Sequence, residues 1–229
     1  MRPTLRLVFT LLVLLVFWPI SGCRSQPSWG TEPTSQPTAT SAGTVLAPSP
    51  PAGMEAAVFA GGCFWCMEGP FEALDGVSEV LSGYTGGGEE SPAYQQVARG
   101  ATGHTEAVYI IFNPAVVSYE TLVETFWRSM DPTDAGGQFA DRGTQYRPAI
   151  FVTSEQQRTV AVQSKDALAA SGRFQAPIIV PVEDAGPFWV AEDYHQNYYQ
   201  TNSAHYNAYR RGSGRAGFLE RVWGAEGAH

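Results

Sequence analysis

Short apolar stretches alternate with longer amphipathic ones along the chain from residue 54 onward. Apolar runs bounded by glycine or polar residues predict strands, and apolar residues spaced three or four apart predict helices. The predicted strands cover residues 56–60, 77–82, 105–112, 148–152 and 178–182. The predicted helices cover residues 63–74, 93–98, 119–130, 154–170 and 190–199, with Ser118 and Ser154 as N-caps. Strands and helices mixed in this way indicate an α+β or α/β domain.

The N-terminus has a different pattern. Arg2 and Arg6 precede a predominantly apolar run over residues 7–20, which is short for a bilayer span and suits a signal-peptide core. We therefore expect residues 1–22 to be an export signal. The residues just before Cys23 resemble a bacterial lipobox, so we expect cleavage there and a lipid on Cys23. An ordinary secretory signal or an uncleaved N-terminal anchor is the alternative.

Residues 23–53 are rich in Ser, Thr, Pro, Ala and Gly, and they lack the apolar periodicity needed to bury a core. We interpret them as a tether that its prolines keep partly extended. Residues 54–229 are enough for one domain with a single core. This organisation predicts a membrane-anchored bacterial lipoprotein whose domain lies outside the cytoplasm, on the periplasmic side or at the cell surface.

The charge balance bears on possible partners. The chain has 14 Lys and Arg residues against 22 Asp and Glu residues, which gives a formal net charge of −8 at pH 7. Proteins that bind the phosphate backbone of nucleic acids usually present a basic surface. The acidic balance therefore argues against nucleic acid as a partner.

Two of the three cysteines lie in the segment GGCFWCMEG at residues 61–69. If a helix begins at Cys63 after the glycines, its unpaired N–H groups and its dipole favour the thiolate, so we expect the pKa of Cys63 to be lowered. Cys66 lies about one helical turn further on, close enough for a disulfide after modest backbone adjustment. This spacing indicates a nucleophile at Cys63 and a resolving thiol at Cys66.

Three other interpretations of this cysteine pair compete. A zinc site is disfavoured because the chain has no second cysteine pair and its histidines show no paired ligand spacing. A purely structural disulfide would close a loop too short to remove much entropy from the unfolded chain. A thioredoxin-like thiol–disulfide oxidoreductase is the main alternative, since Cys-x-x-Cys at a helix N-terminus is its working motif.

Glu106 lies in the apolar stretch TEAVYIIF and shares one strand face with Val108, Ile110 and Phe112. If that face points inward, the carboxyl group is desolvated and its pKa rises. A strand-end glutamate that reaches water or an arginine is the alternative.

Six motifs of the domain, taken together and in this order, resemble A-type peptide methionine sulfoxide reductases. They are GCFWC at 62–66, GYTGG at 83–87, GHTEAV at 103–108, DPT at 131–133, DRGTQYRPAIF at 141–151 and AEDYHQNY at 191–198. The resemblance implies an α+β fold with a two-layer, ferredoxin-like sandwich core, added helices and long loops. It also implies reduction of the S epimer of methionine sulfoxide in proteins, a thioredoxin-like reductant, and no metal, flavin or nicotinamide cofactor.

The resemblance also assigns roles to individual residues. A sulfoxide sulfur is a poor electrophile until its oxygen is protonated, so the Cys63 thiolate needs a nearby acid that stays protonated at neutral pH. The matching motif gives that role to Glu106. Tyr84 and Tyr146 match tyrosines that hydrogen-bond the sulfoxide oxygen.

Three further residues match the substrate-binding site of the family. Phe64 and Trp65 match the pocket for the methyl group on the substrate sulfur, where aromatic rings suit an apolar thioether. Asp141 matches an acid near the site. Core packing is the alternative for the two aromatic residues, and capping is the alternative for Asp141. His195 receives no catalytic role, because a lone histidine beside acids on a predicted helix is more often a surface or capping group.

The sequence departs from the family pattern at three places. Residues 205–229, where many members carry resolving cysteines, contain none, so either Cys66 resolves the sulfenic acid that forms on Cys63 or no cysteine does. Met130 stands where histidine commonly precedes DPT, and Phe139 stands where glycine commonly follows the glutamine. A thiol–disulfide oxidoreductase and a non-enzymatic surface lipoprotein remain the alternative functions at this point.

Overall fold

The computed structural model describes residues 44–224. The predicted signal peptide over residues 1–22, Cys23 and the predicted tether as far as residue 43 lie outside the described residues, as do residues 225–229. No helix within 44–224 is long and apolar enough to span a bilayer.

Nine strands, seven α-helices and three 3₁₀ turns make up residues 44–224. The strands are β1 (Val45–Leu46), β2 (Glu55–Ala60), β3 (Val77–Thr85), β4 (Thr105–Phe112), β5 (Gly137–Gln138), β6 (Asp141–Arg142), β7 (Ala149–Val152), β8 (Val182–Asp184) and β9 (Trp189–Val190). The helices are α1 (Glu68–Glu72), α2 (Tyr94–Ala98), α3 (Tyr119–Trp127), α4 (Glu155–Ala170), α5 (Tyr198–Thr201), α6 (Ser203–Gly212) and α7 (Arg215–Trp223). The 3₁₀ turns cover Phe64–Cys66, Thr144–Tyr146 and Asp193–His195.

Seven strands form one mixed sheet in the order β1-β9-β3-β4-β2-β7-β8, while β5 and β6 form a separate pair. Neighbours in the large sheet are antiparallel except β7 and β8, which run parallel. The longest ladder joins β3 and β4 and sets Tyr84 opposite Glu106. A largely antiparallel sheet covered by helices is an α+β architecture, so the α+β part of the fold prediction is confirmed.

The central strand β4 is buried along its whole length. Val108, Ile110 and Phe112 point into the main core, which also contains apolar residues of α1, α3 and α4. The alternate residues of β4 point into a smaller core on the other face of the sheet. Because side chains alternate along a strand, Glu106 lies on the main-core face, as predicted.

Local signals account for the start of two helices. The Ser118 hydroxyl accepts a hydrogen bond from the Thr121 N–H, and the Ser154 hydroxyl accepts one from the Gln157 N–H, both at 3.2 Å. Each bond satisfies one of the N–H groups that the first turn of a helix leaves unpaired. Both predicted N-caps are confirmed.

Three predicted elements are wrong or displaced. The helix expected over residues 63–74 is a 3₁₀ turn followed by the short helix α1. The helix expected over residues 190–199 is broken, because Asn197 adopts a left-handed conformation with φ of 52° before α5 begins. The strand expected over residues 178–182 begins only at Val182, directly after Pro181, which has no N–H to donate.

The end of the predicted tether packs on the domain. The β1 strand pairs with β9, and the Ala47 N–H donates to the Phe188 carbonyl oxygen at 2.9 Å. The Tyr109 hydroxyl donates to the Pro48 carbonyl oxygen at 3.0 Å. Residues 45–48 therefore pack against the domain, although the sequence analysis assigned them to the tether.

Candidate active site

The two cysteines lie on a tight turn that leaves the central strand β2. Gly62 has φ of 86°, and a Cβ atom there would lie 2.5 Å from the Gln138 Cβ, so this position requires glycine. Cys63 immediately precedes the 3₁₀ turn, and Cys66 ends it. Both are free thiols, and their residues are 6% and 3% exposed, respectively.

The two thiols form one hydrogen-bonded pair that shares its ionisation. Burial raises the pKa of Cys63 well above its ordinary value, and the hydrogen bond with Cys66 raises it further. The same bond lowers the pKa of Cys66 to about 7, against the effect of burial, and the positive charge of Arg215 lowers it as well. The first negative charge therefore belongs to the pair of thiols, and the nearby Arg215 favours it on Cys66. The expected lowering of the Cys63 pKa by an α-helix is therefore wrong.

Glu106 is a buried acid beside the turn that carries Cys63. Its residue is 2% exposed, and its Oε2 accepts a hydrogen bond at 3.1 Å from the N–H of Phe64, the residue after Cys63. Burial raises the pKa of Glu106 to about 8, although the Phe64 N–H acts in the opposite direction. The predicted rise is confirmed, and the carboxyl group keeps its proton at neutral pH.

Two tyrosines border this acid. The Tyr84 hydroxyl donates to Glu192 Oε2 at 2.9 Å, and Glu192 Oε1 accepts from the Tyr94 N–H at 3.0 Å. Burial raises the pKa of Tyr84, and the charge of Glu192 raises it further. Burial also raises the pKa of Tyr146, and the charge of Glu106 adds a smaller rise. Both phenols therefore stay neutral and remain able to donate a hydrogen bond.

Aromatic rings enclose the side of the site next to the cysteines. Phe64 is buried, with its ring centroid 5.9 Å from that of Tyr84. The half-buried Trp65 stacks on Tyr198 at 3.9 Å between centroids, with the rings tilted by only 10°. Its indole Nε1–H donates to His195 Nδ1 at 3.2 Å. The rings form an apolar wall beside Cys63 and Cys66.

The burial of His195 differs from the surface position that the sequence analysis expected. The residue is 1% exposed rather than on the surface, and burial lowers its pKa to about 4. The ring is therefore neutral, and its Nδ1 serves as the acceptor for Trp65.

Asp141 connects the site to the C-terminal helices. Its Oδ2 accepts a hydrogen bond from the hydroxyl of Tyr209, which lies on α6. Its charge acts on Cys63, Cys66 and Glu106, raising the pKa of each. Asp141 therefore belongs to the site, as the motif match predicted.

The structure thus gathers all of the residues that the sequence assigned to the domain's site. They are Cys63, Phe64, Trp65, Cys66, Tyr84, Glu106, Asp141 and Tyr146. The sequence analysis missed Tyr94, Glu192, His195, Tyr198, Tyr209 and Arg215. The density of aromatic and acidic residues in AEDYHQNYY was the available signal for those between 191 and 199. Between residues 44 and 224, no cluster of His, Cys, Asp and Glu could hold a metal ion.

Comparison with known proteins identifies the family in which this set of site residues occurs. A sequence model of the family described as "Peptide methionine sulfoxide reductase" matches residues 55–227. "Peptide methionine sulfoxide reductase MsrA" of Bacillus subtilis (strain 168) is 55% identical over 172 residues, covering 75% of this chain and 97% of the relative. The protein of the same name from Streptococcus agalactiae serotype III (strain NEM316) is 58% identical over 170 residues, covering 74% and 99%.

Solved structures give the same result. The reduced form of Mxr1 from Saccharomyces cerevisiae superposes with a TM-score of 0.64 at 30% identity, covering 68% of this chain and 90% of that one. Methionine sulfoxide reductase A of Corynebacterium diphtheriae gives a TM-score of 0.58 at 31% identity, covering 69% and 83%. These matches favour sulfoxide reduction over disulfide exchange and over a purely non-enzymatic role. The chain therefore belongs to the peptide methionine sulfoxide reductase family, and its activity is the thiol-dependent reduction of methionine sulfoxide.

Proposed function

We propose that this enzyme reduces the S epimer of methionine sulfoxide in oxidised proteins, with Cys63 as the nucleophile and Glu106 as the acid. The position of Glu106 carries this assignment. Its carboxyl group is buried, is bonded to the N–H that follows Cys63, and has its pKa raised to about 8. A thiol next to a carboxyl group that stays protonated at pH 7 is the pair that sulfoxide reduction requires.

The first step forms a bond between two sulfur atoms. Cys63 gives up its proton, for which the hydrogen-bonded Cys66 thiolate is an acceptor, and attacks the sulfoxide sulfur. Glu106 donates its proton to the sulfoxide oxygen, so no free oxyanion develops. The hydroxyl group then passes to the Cys63 sulfur, and methionine leaves while Cys63 becomes a sulfenic acid.

Two groups of residues hold the substrate. The neutral hydroxyl of Tyr146 donates a hydrogen bond to the sulfoxide oxygen beside Glu106, and Tyr84 does the same when its hydroxyl turns from Glu192 to the substrate. Phe64 and Trp65 contact the methyl group on the sulfur, and stacking on Tyr198 fixes the indole plane. The site holds the sulfoxide oxygen on one side and the methyl group on the other. It can therefore distinguish the two configurations at sulfur.

Cys66 completes the oxidative half of the cycle. It condenses with the Cys63 sulfenic acid to form a disulfide between the two residues. A dithiol of a thioredoxin-like protein then reopens this disulfide through a mixed disulfide. The effect of each thiol on the pKa of the other supports this pairing, because it requires the two sulfur atoms to lie close together.

The core of the domain is consistent with a ferredoxin-like sandwich. The elements β2, α1, β3, β4, α3 and β7 follow one another in the order βαββαβ, with the intervening shorter elements added between them. In the sheet these four strands lie in the order β3-β4-β2-β7, with every neighbouring pair antiparallel. Helices α4 to α7 and the long loops are then additions to this core.

We also propose that the chain is a membrane-anchored bacterial lipoprotein that works outside the cytoplasm. The support is the sequence of residues 1–53, in which a signal-like apolar run precedes Cys23 and a Pro-rich segment follows it. A lipid on Cys23 would hold the domain at the membrane surface, on the periplasmic side or at the cell surface.

One assay tests the proposed activity. The domain over residues 44–229 is incubated with dithiothreitol and with each epimer of a methionine sulfoxide peptide, and the methionine formed is quantified. Conversion of the S epimer alone supports the proposal, while conversion of the R epimer alone or of neither contradicts it. Reduction of a model disulfide is measured in parallel, since efficient exchange without sulfoxide turnover would indicate a thiol–disulfide oxidoreductase.

A further inference from the structure

Arg215 occupies a position that the chemistry above does not use. It is the first residue of α7, in the C-terminal segment without cysteine, and it is 1% exposed. Its Nη1 donates to the Ser129 carbonyl oxygen at 2.6 Å, and its Nη2 donates to the Gly61 carbonyl oxygen at 3.0 Å. The guanidinium group therefore reaches from the C-terminal helix to the backbone that leads into Cys63.

This placement is unfavourable for stability alone. Within the described part of the chain, no carboxylate lies within ion-pair distance of Arg215. A buried cation without a carboxylate costs free energy, which its two bonds to carbonyl oxygens offset only in part. A cation in the first turn of a helix also meets the positive end of the helix dipole.

Two neighbouring residues adopt unusual conformations that accommodate the guanidinium group. Phe139 has φ of 56°, a conformation that costs energy for a residue with a bulky side chain, and its ring centroid lies 4.7 Å from the Arg215 Cζ. An aromatic face at this distance attracts a desolvated cation. Gly62 leaves space on the other side, because a Cβ atom there would lie 2.9 Å from the Arg215 Nη2.

The anionic group next to this cation is the dithiol. The positive charge of Arg215 favours the Cys66 thiolate, and so does that of Arg210, while Asp141 opposes both. The titratable and charged groups around Cys66 are Cys63, Glu106, Asp141, Tyr206, Tyr209, Arg210 and Arg215. Of the two arginines, Arg215 is the fully buried one, so water screens its charge least.

We propose that Arg215 is a positioning residue for the second step of the reaction, in which its buried charge stabilises the Cys66 thiolate that attacks the Cys63 sulfenic acid. The inference rests on the proposed function, in which Cys66 resolves that intermediate. In this step Cys66 first loses to solvent the proton that it took from Cys63. Its thiolate then bonds to the Cys63 sulfur, the S–O bond breaks, and the departing hydroxide takes a proton from solvent to leave as water. Once Cys63 carries the hydroxyl group, its thiol no longer donates to Cys66, so the thiolate depends more strongly on Arg215.

The test follows the second step directly after one equivalent of sulfoxide. Disulfide formation is measured by thiol loss, and sulfenic acid is trapped with a 1,3-diketone, from pH 6 to pH 10. Arg215→Met removes the charge at similar length, Arg215→Lys keeps it, and Arg211→Met removes an exposed charge from α6 as a control. We expect Arg215→Met to form the disulfide about three- to tenfold more slowly at pH 7, since the loss of thiolate is partly offset by its greater nucleophilicity.

The pH dependence separates an electrostatic role from packing. In Arg215→Met the deficit should shrink as the pH rises, because Cys66 then ionises without help, and sulfenic acid should accumulate only at the lower pH values. Arg215→Lys should keep most of the rate, and Arg211→Met should match the unaltered enzyme. An unchanged rate in Arg215→Met, the same slowing at every pH, or Arg215→Lys as slow as Arg215→Met would overturn the proposal.

Two further measurements keep the proposal testable. If Arg215→Met does not fold, the pH dependence of disulfide formation in the unaltered enzyme is measured instead: a midpoint clearly below the ordinary thiol pKa of about 8.5 supports the role of Arg215, and a midpoint at or above that value overturns it. Cys66→Ser is followed in parallel. If that variant recycles normally with a thioredoxin-type reductant, the proposed function fails. If it does not recycle while Arg215→Met behaves as the unaltered enzyme, only the role of Arg215 fails.

Discussion

Replacing Glu106 by glutamine removes the acid and keeps its shape. The amide oxygen of glutamine can still accept the hydrogen bond that the Phe64 N–H donates at 3.1 Å, so the backbone next to Cys63 should hold its position. The glutamine amide cannot give a proton to the sulfoxide oxygen. Glu106→Gln therefore tests proton donation with little disturbance of geometry.

The raised pKa sets the size and the pH range of the effect. A carboxyl group with a pKa of about 8 is roughly nine-tenths protonated at pH 7 and roughly one-tenth protonated at pH 9. The first step in the unaltered enzyme should therefore slow as the pH rises through about 8. Loss of a general acid typically costs about 10²- to 10⁴-fold, or roughly 3–5 kcal/mol of barrier.

The raised pKa of Glu106 assists proton donation, but it also lowers the stability of the folded domain as the pH rises. The carboxyl group has an ordinary pKa of 4.5 in the unfolded chain and about 8 in the folded one, so between these values the unfolded state binds fewer protons. Folding stability is therefore lost as the pH rises from 4.5 towards 8. Glu106→Gln avoids this loss and should be more stable than the unaltered domain by on the order of 3 kcal/mol at pH 7.

Single-turnover release of methionine and urea unfolding, each from pH 6 to pH 10, measure both effects. Glu79→Gln, an exposed change on β3, is the matched control and should alter neither. Glu106→Gln with an unchanged single-turnover rate at pH 7 would refute general acid catalysis. A slow variant that keeps the decline above pH 8 would assign that decline to another group.

The remaining predictions concern the three cysteines. Cys63→Ser should abolish turnover even with excess dithiothreitol, because a hydroxyl is too weak an acid to supply the anion, and substantial residual turnover would remove Cys63 from its role. Cys66→Ser should release about one methionine per enzyme and then stop with a thioredoxin-type reductant, while dithiothreitol restores part of the turnover; loss of the first methionine would show that Cys66 helps to build the site. In a bacterium that processes lipoproteins, the mature chain should begin at a diacylglyceryl-modified Cys23 and become soluble in Cys23→Ala, and an intact mass with unmodified Cys23 would contradict the anchor.

The parts of the fold that could be predicted are those in which local pattern and tertiary packing agree. The strand over residues 105–112 was predicted with its observed bounds, because it is apolar on both faces and is buried on both. The segment over residues 190–199 carries aromatic and acidic residues at spacings compatible with a helix. Its path depends on Asn197 in a left-handed conformation and on contacts with Trp65 made across more than a hundred residues. Such contacts cannot be deduced from the segment itself.

Most of the site could be predicted, but its electrostatics could not. The motif positions of Cys63 and Glu106 and the inward face of β4 were enough to expect a raised pKa for the acid. The ionisation of the dithiol depends on burial and on the mutual hydrogen bond, neither of which can be deduced from a Cys-x-x-Cys spacing. Arg215 was missed because an arginine near a C-terminus predicts an exposed side chain.

Three features near the reacting sulfur atoms act against stability, and each serves a different part of the reaction. Neutral Glu106 costs folding free energy as the pH rises above the ordinary pKa of a carboxyl group, yet in the proposed mechanism it supplies the proton for the first step. Buried Arg215 has no carboxylate partner among the described residues, yet it favours the Cys66 thiolate that the proposed second step needs. Phe139 keeps a positive φ where glycine would be unstrained, yet its ring covers that cation. Because these unfavourable features meet around Cys63 and Cys66, selection for catalysis explains them better than selection for a stable core.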